Sequence, residues 1–73
     1  MERKKDEMRI IRLKELMLMT GLSRATVFNK MNDTHSQFDD AFPRSIKLGK
    51  SSTGWLQHEL IEWIESLSEQ RFK

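Results

Sequence analysis

The sequence predicts one small, mainly α-helical domain that carries a single β-hairpin. Apolar residues recur at helical spacing in two short segments and one longer one. A glycine-containing turn of about three residues separates the two short helical segments, as in helix-turn-helix units. A short alternating segment then precedes a Gly-Lys-Ser-Ser turn, which is typical of a hairpin. With 73 residues, the chain has room for one domain and a small core.

The first half of the chain predicts the helix-turn-helix unit. The β-branched run at residues 9–13 predicts a short edge strand, and the apolar spacing that follows predicts a helix over residues 14–19. Gly21 provides the permissive backbone that a tight helix exit requires. Ser23 is a good N-cap for a second helix that runs to about residue 32.

The second half predicts a loop, a hairpin and a last helix. Residues 32–41 are a loop by composition, with Phe38 as its expected buried anchor. Residues 44–48 and 53–55 predict the two strands of the hairpin, and residues 57–70 predict the final helix. The order helix, turn, helix, hairpin, helix is typical of a winged helix-turn-helix. We expect a single core that contains Leu16, Leu22, Val27, Ile46, Leu48, Trp55, Leu60 and Ile64.

Composition excludes several classes of protein. The chain has no cysteine, so disulfides and thiolate metal sites are excluded. His35 and His58 have no spaced metal-ligating partners, and the sequence holds no plausible catalytic constellation. We therefore expect no enzyme, no metal and no cofactor. No apolar run approaches the ~20 residues that a membrane span needs, so we expect a cytoplasmic protein without a membrane partner.

Charge is distributed unevenly along the chain. Residues 22–55 hold five basic and three acidic side chains, whereas residues 56–73 hold two basic and four acidic ones. A positive face with a negative back would orient the molecule toward a polyanion. The polar, mixed-charge residues 1–8 predict a flexible N-terminal arm. The predicted domain then covers residues 9–70, followed by a short tail at residues 71–73.

Three sequence blocks resemble those of the AlpA family. They are TGLSRATVF at residues 20–28, FPRSIKLG at residues 42–49 and GWLQHELIEWI at residues 54–64. AlpA proteins are small phage and prophage regulators, related more distantly to excisionases and to the MerR-type DNA-binding domain. The resemblance extends from residue 9 to about residue 67. The loop of residues 32–41 is longer than expected for this family.

The resemblance implies a winged helix-turn-helix that binds double-stranded DNA in the bacterial nucleoid. It also implies two related roles for a protein of a prophage or integrative element. One is transcriptional regulation, for example of an integrase gene, and the other is recombination directionality, the role of an excisionase. Candidate protein partners are an integrase and further copies of the chain that bind DNA cooperatively.

Helical periodicity predicts which side of the second helix meets DNA. If Val27 faces the core, Ala25 and Asn29 face outward, and an asparagine there can pair with the N6/N7 edge of adenine. Phe28 could pack against the hairpin or touch DNA. The hairpin lysines could hold phosphates or only keep an exposed edge soluble. The predicted DNA-binding residues are Ser23, Arg24, Ala25, Thr26, Phe28, Asn29, Lys30, Arg44, Lys47 and Lys50.

An alternative function is a protein-interaction adaptor, similar to an antirepressor, that has kept the fold but lost DNA binding. Leu18 favours it, because a helix at residues 14–19 cannot turn four consecutive apolar residues inward and Leu18 would be exposed. The acidic last helix also favours it, as does Ser51 at a hairpin position where an arginine is common in the family.

Overall fold

The computed structural model describes residues 8–71 as three helices and one three-stranded antiparallel sheet. This architecture confirms the predicted winged helix-turn-helix. The predicted arm and tail lie outside the described residues, apart from Met8 and Arg71. The elements in chain order are β1 (Ile10–Ile11), α1 (Leu13–Thr20), α2 (Arg24–Met31), β2 (Ile46–Lys47), β3 (Thr53–Leu56) and α3 (Gln57–Gln70).

Two local signals in the sequence produce the turn between α1 and α2. Gly21 adopts a left-handed backbone conformation with φ of 75°, and its N–H donates to the carbonyl oxygen of Met17 at 2.8 Å. A side chain at this φ would be strained, so glycine suits the exit from α1. Ser23 then caps α2, because its hydroxyl oxygen accepts from the backbone N–H of Thr26 at 3.1 Å. Both predicted roles are confirmed.

β3 is the central strand of the sheet and joins the helix-turn-helix unit to the hairpin. It pairs with β1 through Ile11 and Trp55, and with β2 through Lys47 and Thr53. Because side chains alternate along a strand, Thr53 and Trp55 share one face while Gly54 lies on the other. The face of Trp55 is the core side, since Ile11 and Trp55 are fully buried.

The core differs in part from the predicted one. Leu22 and Ile64 are only partly buried and pack against the core, whereas Leu48 was predicted inside and is 42 % exposed. Leu48 and Ile46 lie on the sheet face of Gly54, opposite Trp55, so the predictions that place these two residues in the core were wrong. Four predicted residues, Leu16, Val27, Trp55 and Leu60, are buried, and Ile11, Phe42 and Trp63 complete the buried cluster.

The loop between α2 and β2 is anchored by Phe42 rather than by Phe38. Phe38 is only partly buried, so its prediction as the buried anchor was wrong. Phe42 is 3 % exposed and meets the Trp63 ring edge to face, with ring centroids 4.9 Å apart. Aromatic pairs favour this geometry. Within residues 8–71, no helix is both long enough and apolar enough to cross a bilayer.

Candidate nucleic-acid interface

The exposed surface of α2 is the one that helical periodicity predicts. Val27 is fully buried and Met31 packs against the core, which fixes the rotation of the helix. Ala25 on the opposite side is exposed, and Asn29 is partly exposed. The small side chain of Ala25 lets the helix approach a DNA major groove closely, and the amide of Asn29 offers both a hydrogen-bond donor and an acceptor.

The start of α2 is held by paired hydroxyl groups. Besides accepting from the backbone of Thr26, the Ser23 hydroxyl donates to the Thr26 hydroxyl oxygen at 2.9 Å. Both side chains are thus oriented by the helix cap. Thr26 is partly exposed beside this cap.

Phe28 packs against the hairpin, which is one of the two roles that the sequence left open, and DNA contact stays a prediction. Its ring lies 6.5 Å from the ring of Trp55 at an angle of 59°, so it packs against β3. It also remains 40 % exposed, and the guanidinium carbon of Arg24 lies 5.8 Å from its centroid. A guanidinium over an aromatic face is favourable, and here it keeps the charge of Arg24 close to α2.

A basic groove separates α2 and the start of α1 from the hairpin. It encloses about 410 Å³, and its cations are Arg12, Lys14 and Arg24, facing Ser51 and Thr53 of the hairpin. Arg12 Nε donates to the backbone oxygen of Thr53 at 2.8 Å, which joins the two sides. Sequence reasoning missed Arg12 and Lys14. The signal that could have found them is a pair of bases flanking the first residue of α1.

The hairpin lysines extend the basic surface. Lys47 pairs with Thr53, so it shares the sheet face that looks toward α2. Lys50 is exposed within the turn that a hydrogen bond from Leu48 N–H to the Ser52 oxygen closes at 2.8 Å. Together with the groove, these side chains form a basic surface, and basic side chains are the groups that most often contact phosphates.

Lys30 and Arg44 lie apart from the groove. The Lys30 ammonium is 5.7 Å from the ring centroid of Trp63, which directs it toward α3. Arg44 lines a second groove with Glu59 and Glu62 of α3. Their assignment to DNA binding stays a prediction.

Gln37, a loop residue that the sequence analysis did not single out, contacts Asn29, the residue predicted to recognise a base. The amide nitrogen of Asn29 donates to Oε1 of Gln37 at 3.1 Å. Asn29 and Gln37 are eight residues apart, and nothing in a polar loop sequence predicts that it folds back onto α2. The loop of residues 32–41 therefore contributes to the surface of α2.

Asp39 fixes the end of this loop. One of its carboxylate oxygens accepts from the indole N–H of Trp63 at 3.0 Å, and the other accepts from the backbone N–H of Ala41 at 2.9 Å. The hydrogen bond from Trp63 is the main cause that holds the pKa of Asp39 below its ordinary value, and nearby Lys30 acts in the same direction. Among residues 8–71, no group of three His, Cys, Asp or Glu side chains is placed to hold a metal ion.

Comparisons with known proteins agree on one family. The family model described as prophage CP4-57 regulatory protein (AlpA) matches residues 9–68. The "DNA-binding transcriptional activator AlpA" of Escherichia coli K12 is 38% identical over 56 residues, which cover 77% of this chain and 80% of that protein. The "Uncharacterized protein ORF88" of Enterobacteria phage P4 is 30% identical over 56 residues, 77% of this chain and 57% of that protein. No solved structure matches the chain significantly.

The match to the family model covers almost all of the described residues, from the strand before α1 to the last turns of α3. It thus includes the loop between α2 and β2, and also the helix-turn-helix unit and the hairpin, which line the basic groove. The chain belongs to the AlpA family of prophage regulatory proteins.

Proposed function

We propose that this protein binds double-stranded DNA sequence-specifically and regulates transcription. The observation that carries the proposal is the basic groove between α2 and the hairpin, with Arg12, Lys14 and Arg24 along one side. The E. coli relative, named a DNA-binding transcriptional activator, supports the same function. In this arrangement α2 enters the major groove and the hairpin lies along the adjacent backbone.

The exposed side of α2 supplies the base contacts. Asn29 reads the N6/N7 edge of an adenine, and Ala25 with the methyl group of Thr26 meets thymine methyl groups. Ser23 and Phe28 border this surface, the first at the helix cap and the second beneath Arg24. These contacts supply the sequence preference.

The basic side chains around the groove hold the phosphates. Arg12 and Arg24 lie on the helical side, while Lys47 and Lys50 lie on the hairpin side. Contacts of this kind position α2 and carry most of the non-specific affinity. Lys30 and Arg44 belong to the same proposal as outer contacts that a longer duplex would reach.

The proposed setting is a prophage or integrative element in the bacterial cytoplasm, with the protein bound to the nucleoid. Within it, the protein controls an integrase gene, favours excision as a recombination directionality factor, or does both. One domain covers only about half a dozen base pairs, so cooperative binding of several copies would supply genomic specificity. Footprinting of the protein on the DNA beside its own gene separates the two roles. Protected sites that overlap a promoter would indicate transcriptional regulation, and protected sites in an attachment arm would indicate a role in excision.

The test of DNA binding is fluorescence anisotropy with a duplex selected by this protein from a random library, over a series of salt concentrations. Replacing Arg12 or Arg24 by alanine should weaken binding and lower the slope of log affinity against log salt by about 0.9 for each full phosphate contact. Arg71→Ala is the charge-matched control, because Arg71 ends α3 and does not line the groove. Equal salt slopes for the original protein and its three variants, Arg12→Ala, Arg24→Ala and Arg71→Ala, would contradict the proposal.

Exposed Leu18 keeps the adaptor as a second candidate function. The side chain is 78 % exposed on α1, as the sequence predicts, and such exposure suits a protein contact. Failure to bind any duplex at low salt, together with a protein partner lost on Leu18→Ser, would favour the adaptor. Retained DNA binding by Leu18→Ser, with no partner found, would favour the DNA-binding proposal.

A further inference from the structure

We propose that Gln37 is a specificity-determining residue that orients the carboxamide of Asn29 for base recognition. The inference rests on the proposed DNA-binding function and assigns a task to the long loop between α2 and β2. The residue acts through Asn29, so it is a positioning residue rather than a base contact.

The contact between the two side chains is direct. Asn29 Nδ2 donates to Gln37 Oε1 at 3.1 Å, within the usual range for an N–H···O hydrogen bond. Gln37 is exposed and Asn29 is partly exposed, so the pair lies on the outer surface of α2. A hydrogen bond between exposed amides adds little to stability, which leaves the orientation of the amide as its main effect.

The backbone around Gln37 is held by the loop itself. The Gln37 N–H donates to Nδ1 of His35 at 3.0 Å, and the His35 N–H donates to the oxygen of Asn32 at 3.0 Å. On the other side, the Asp39 N–H donates to the carbonyl oxygen of Lys30 at 3.0 Å, which ties the loop to the last turn of α2. Gln37 therefore contacts Asn29 from a loop segment whose backbone is held by hydrogen bonds.

The chemistry of the amide explains why orientation matters. A primary carboxamide has an acceptor oxygen and a nitrogen with two N–H groups. In the observed pair Gln37 Oε1 accepts from the Asn29 nitrogen, and Asn29 could reverse its amide and keep a bond only if Gln37 reversed its own, so the contact couples the orientations of the two side chains. One N–H and the Oδ1 atom of Asn29 then remain free, which is the donor and acceptor pair that the adenine edge requires.

Orientation before binding should raise affinity only for the sequence that Asn29 reads. Fixing a flexible side chain in its bound conformation removes part of the entropy lost on association. We therefore expect Gln37→Ala to weaken binding to the selected duplex roughly three- to tenfold and to leave binding to a scrambled duplex unchanged. The preference at the base pair that Asn29 reads should weaken with it.

The test is a double-mutant cycle of Asn29→Ala and Gln37→Ala, measured by anisotropy on the selected and scrambled duplexes. Ser36→Ala is the matched control, because Ser36 is an exposed neighbour in the same loop. Circular dichroism establishes that each variant is folded. The inference predicts that Gln37→Ala weakens the specific complex in the original protein and has no further effect once Asn29 is alanine.

The other outcomes separate the inference from the proposed function. An equal loss from Gln37→Ala in both backgrounds would show that Gln37 contacts DNA independently, which overturns the positioning role. A specific complex weakened by Asn29→Ala but not by Gln37→Ala would overturn the inference and leave the proposed function intact. If Asn29→Ala has no effect on the selected duplex, base reading by Asn29 fails, and the role of Gln37 fails with it.

Discussion

The indole N–H of Trp63 donates a hydrogen bond to a carboxylate oxygen of Asp39 at 3.0 Å. Trp63 lies in the middle of α3, and Asp39 lies two residues beyond Gln37 in the loop after α2. Trp63 is 6 % exposed, so the bond anchors the loop to a fixed point of the core. Through this contact α3 supports the segment that lies against Asn29.

The two tryptophans should respond differently to replacement by phenylalanine. Both changes remove the same atoms from the core, but only Trp63→Phe breaks a hydrogen bond. The indole nitrogen of Trp55 is buried and has no hydrogen-bond partner within residues 8–71. We expect Trp63→Phe to lower the free energy of unfolding by about 1–3 kcal/mol more than Trp55→Phe. Urea denaturation of both variants measures the difference, and an equal loss would contradict the role of the Trp63 bond.

Asp39 should make stability depend on pH in the acid range. Its pKa in the folded protein is lowered, first by the bond from Trp63, relative to an ordinary value of 3.8. Folding therefore favours the ionised carboxylate. Its contribution to the free energy of unfolding is present above about pH 3.8 and is lost as the pH falls through the folded-state pKa of Asp39.

Asp39→Asn tests this contribution. The amide keeps one acceptor oxygen for Trp63 or Ala41 but loses the charge and the second acceptor. The variant should be less stable than the original protein at neutral pH, and the gap should narrow as the pH is lowered below about 3.8. Asp40→Asn, at the exposed neighbouring carboxylate, is the control. A gap for Asp39→Asn that does not change between neutral and acid pH would refute the account.

The sequence predicts contacts that are local and misses those that join distant segments. Ser23 and Gly21 were assigned correctly, because a helix cap and a helix exit depend on residues within one turn. The spacing of Ile46 and Leu48 correctly places them on one face of a strand. The spacing does not tell which face of the sheet packs on the core. In the structure Ile11 and Trp55 occupy the core face, so Ile46 and Leu48 lie on the other one.

The candidate site shows the same division. The rotation of α2 follows from its own periodicity, so the position of Asn29 on the side of α2 away from the core was predicted correctly. Arg12 was missed because its place in the groove depends on a bond to Thr53, 41 residues away. Gln37 was missed because a loop identified by its composition has no periodicity from which its path could be read.

Gly54 in β3 should tolerate alanine less well than Gly49 in the turn of the hairpin. A Cβ atom there would lie 2.6 Å from Cγ2 of Ile10 and 3.1 Å from the backbone oxygen of Ile11. Because the clash involves a β-branched side chain and backbone, we expect Gly54→Ala to cost about 1–3 kcal/mol. At Gly49, no described atom lies within 4 Å of the added carbon, so Gly49→Ala should stay within about 0.5 kcal/mol. Thermal unfolding of the two variants compares them, and equal stabilities would be the contrary result.

Leu60 should contribute much more to stability than its neighbour Ile61. Leu60 is fully buried in the core, whereas Ile61 is 40 % exposed on the same helix. Leu60→Ala should lower the free energy of unfolding by about 2–5 kcal/mol, a large part of the total stability of so small a domain. Ile61→Ala, the matched control, should cost far less. Chemical denaturation that finds less than about half a kcal/mol for Leu60→Ala would contradict the assigned packing of α3.

The most direct test of the account compares Asn29→Ala with Lys47→Ala in anisotropy titrations on the selected and scrambled duplexes across a salt series. If Asn29 reads a base edge as proposed, Asn29→Ala should weaken the specific complex by ~1–3 kcal/mol and leave the scrambled one unchanged. If Lys47 neutralises a phosphate as proposed, Lys47→Ala should weaken both complexes alike and lower the salt slope by about 0.9. Equal losses on both duplexes for Asn29→Ala, or an unchanged salt slope for Lys47→Ala, would contradict the division between a base-reading α2 and a backbone-binding hairpin.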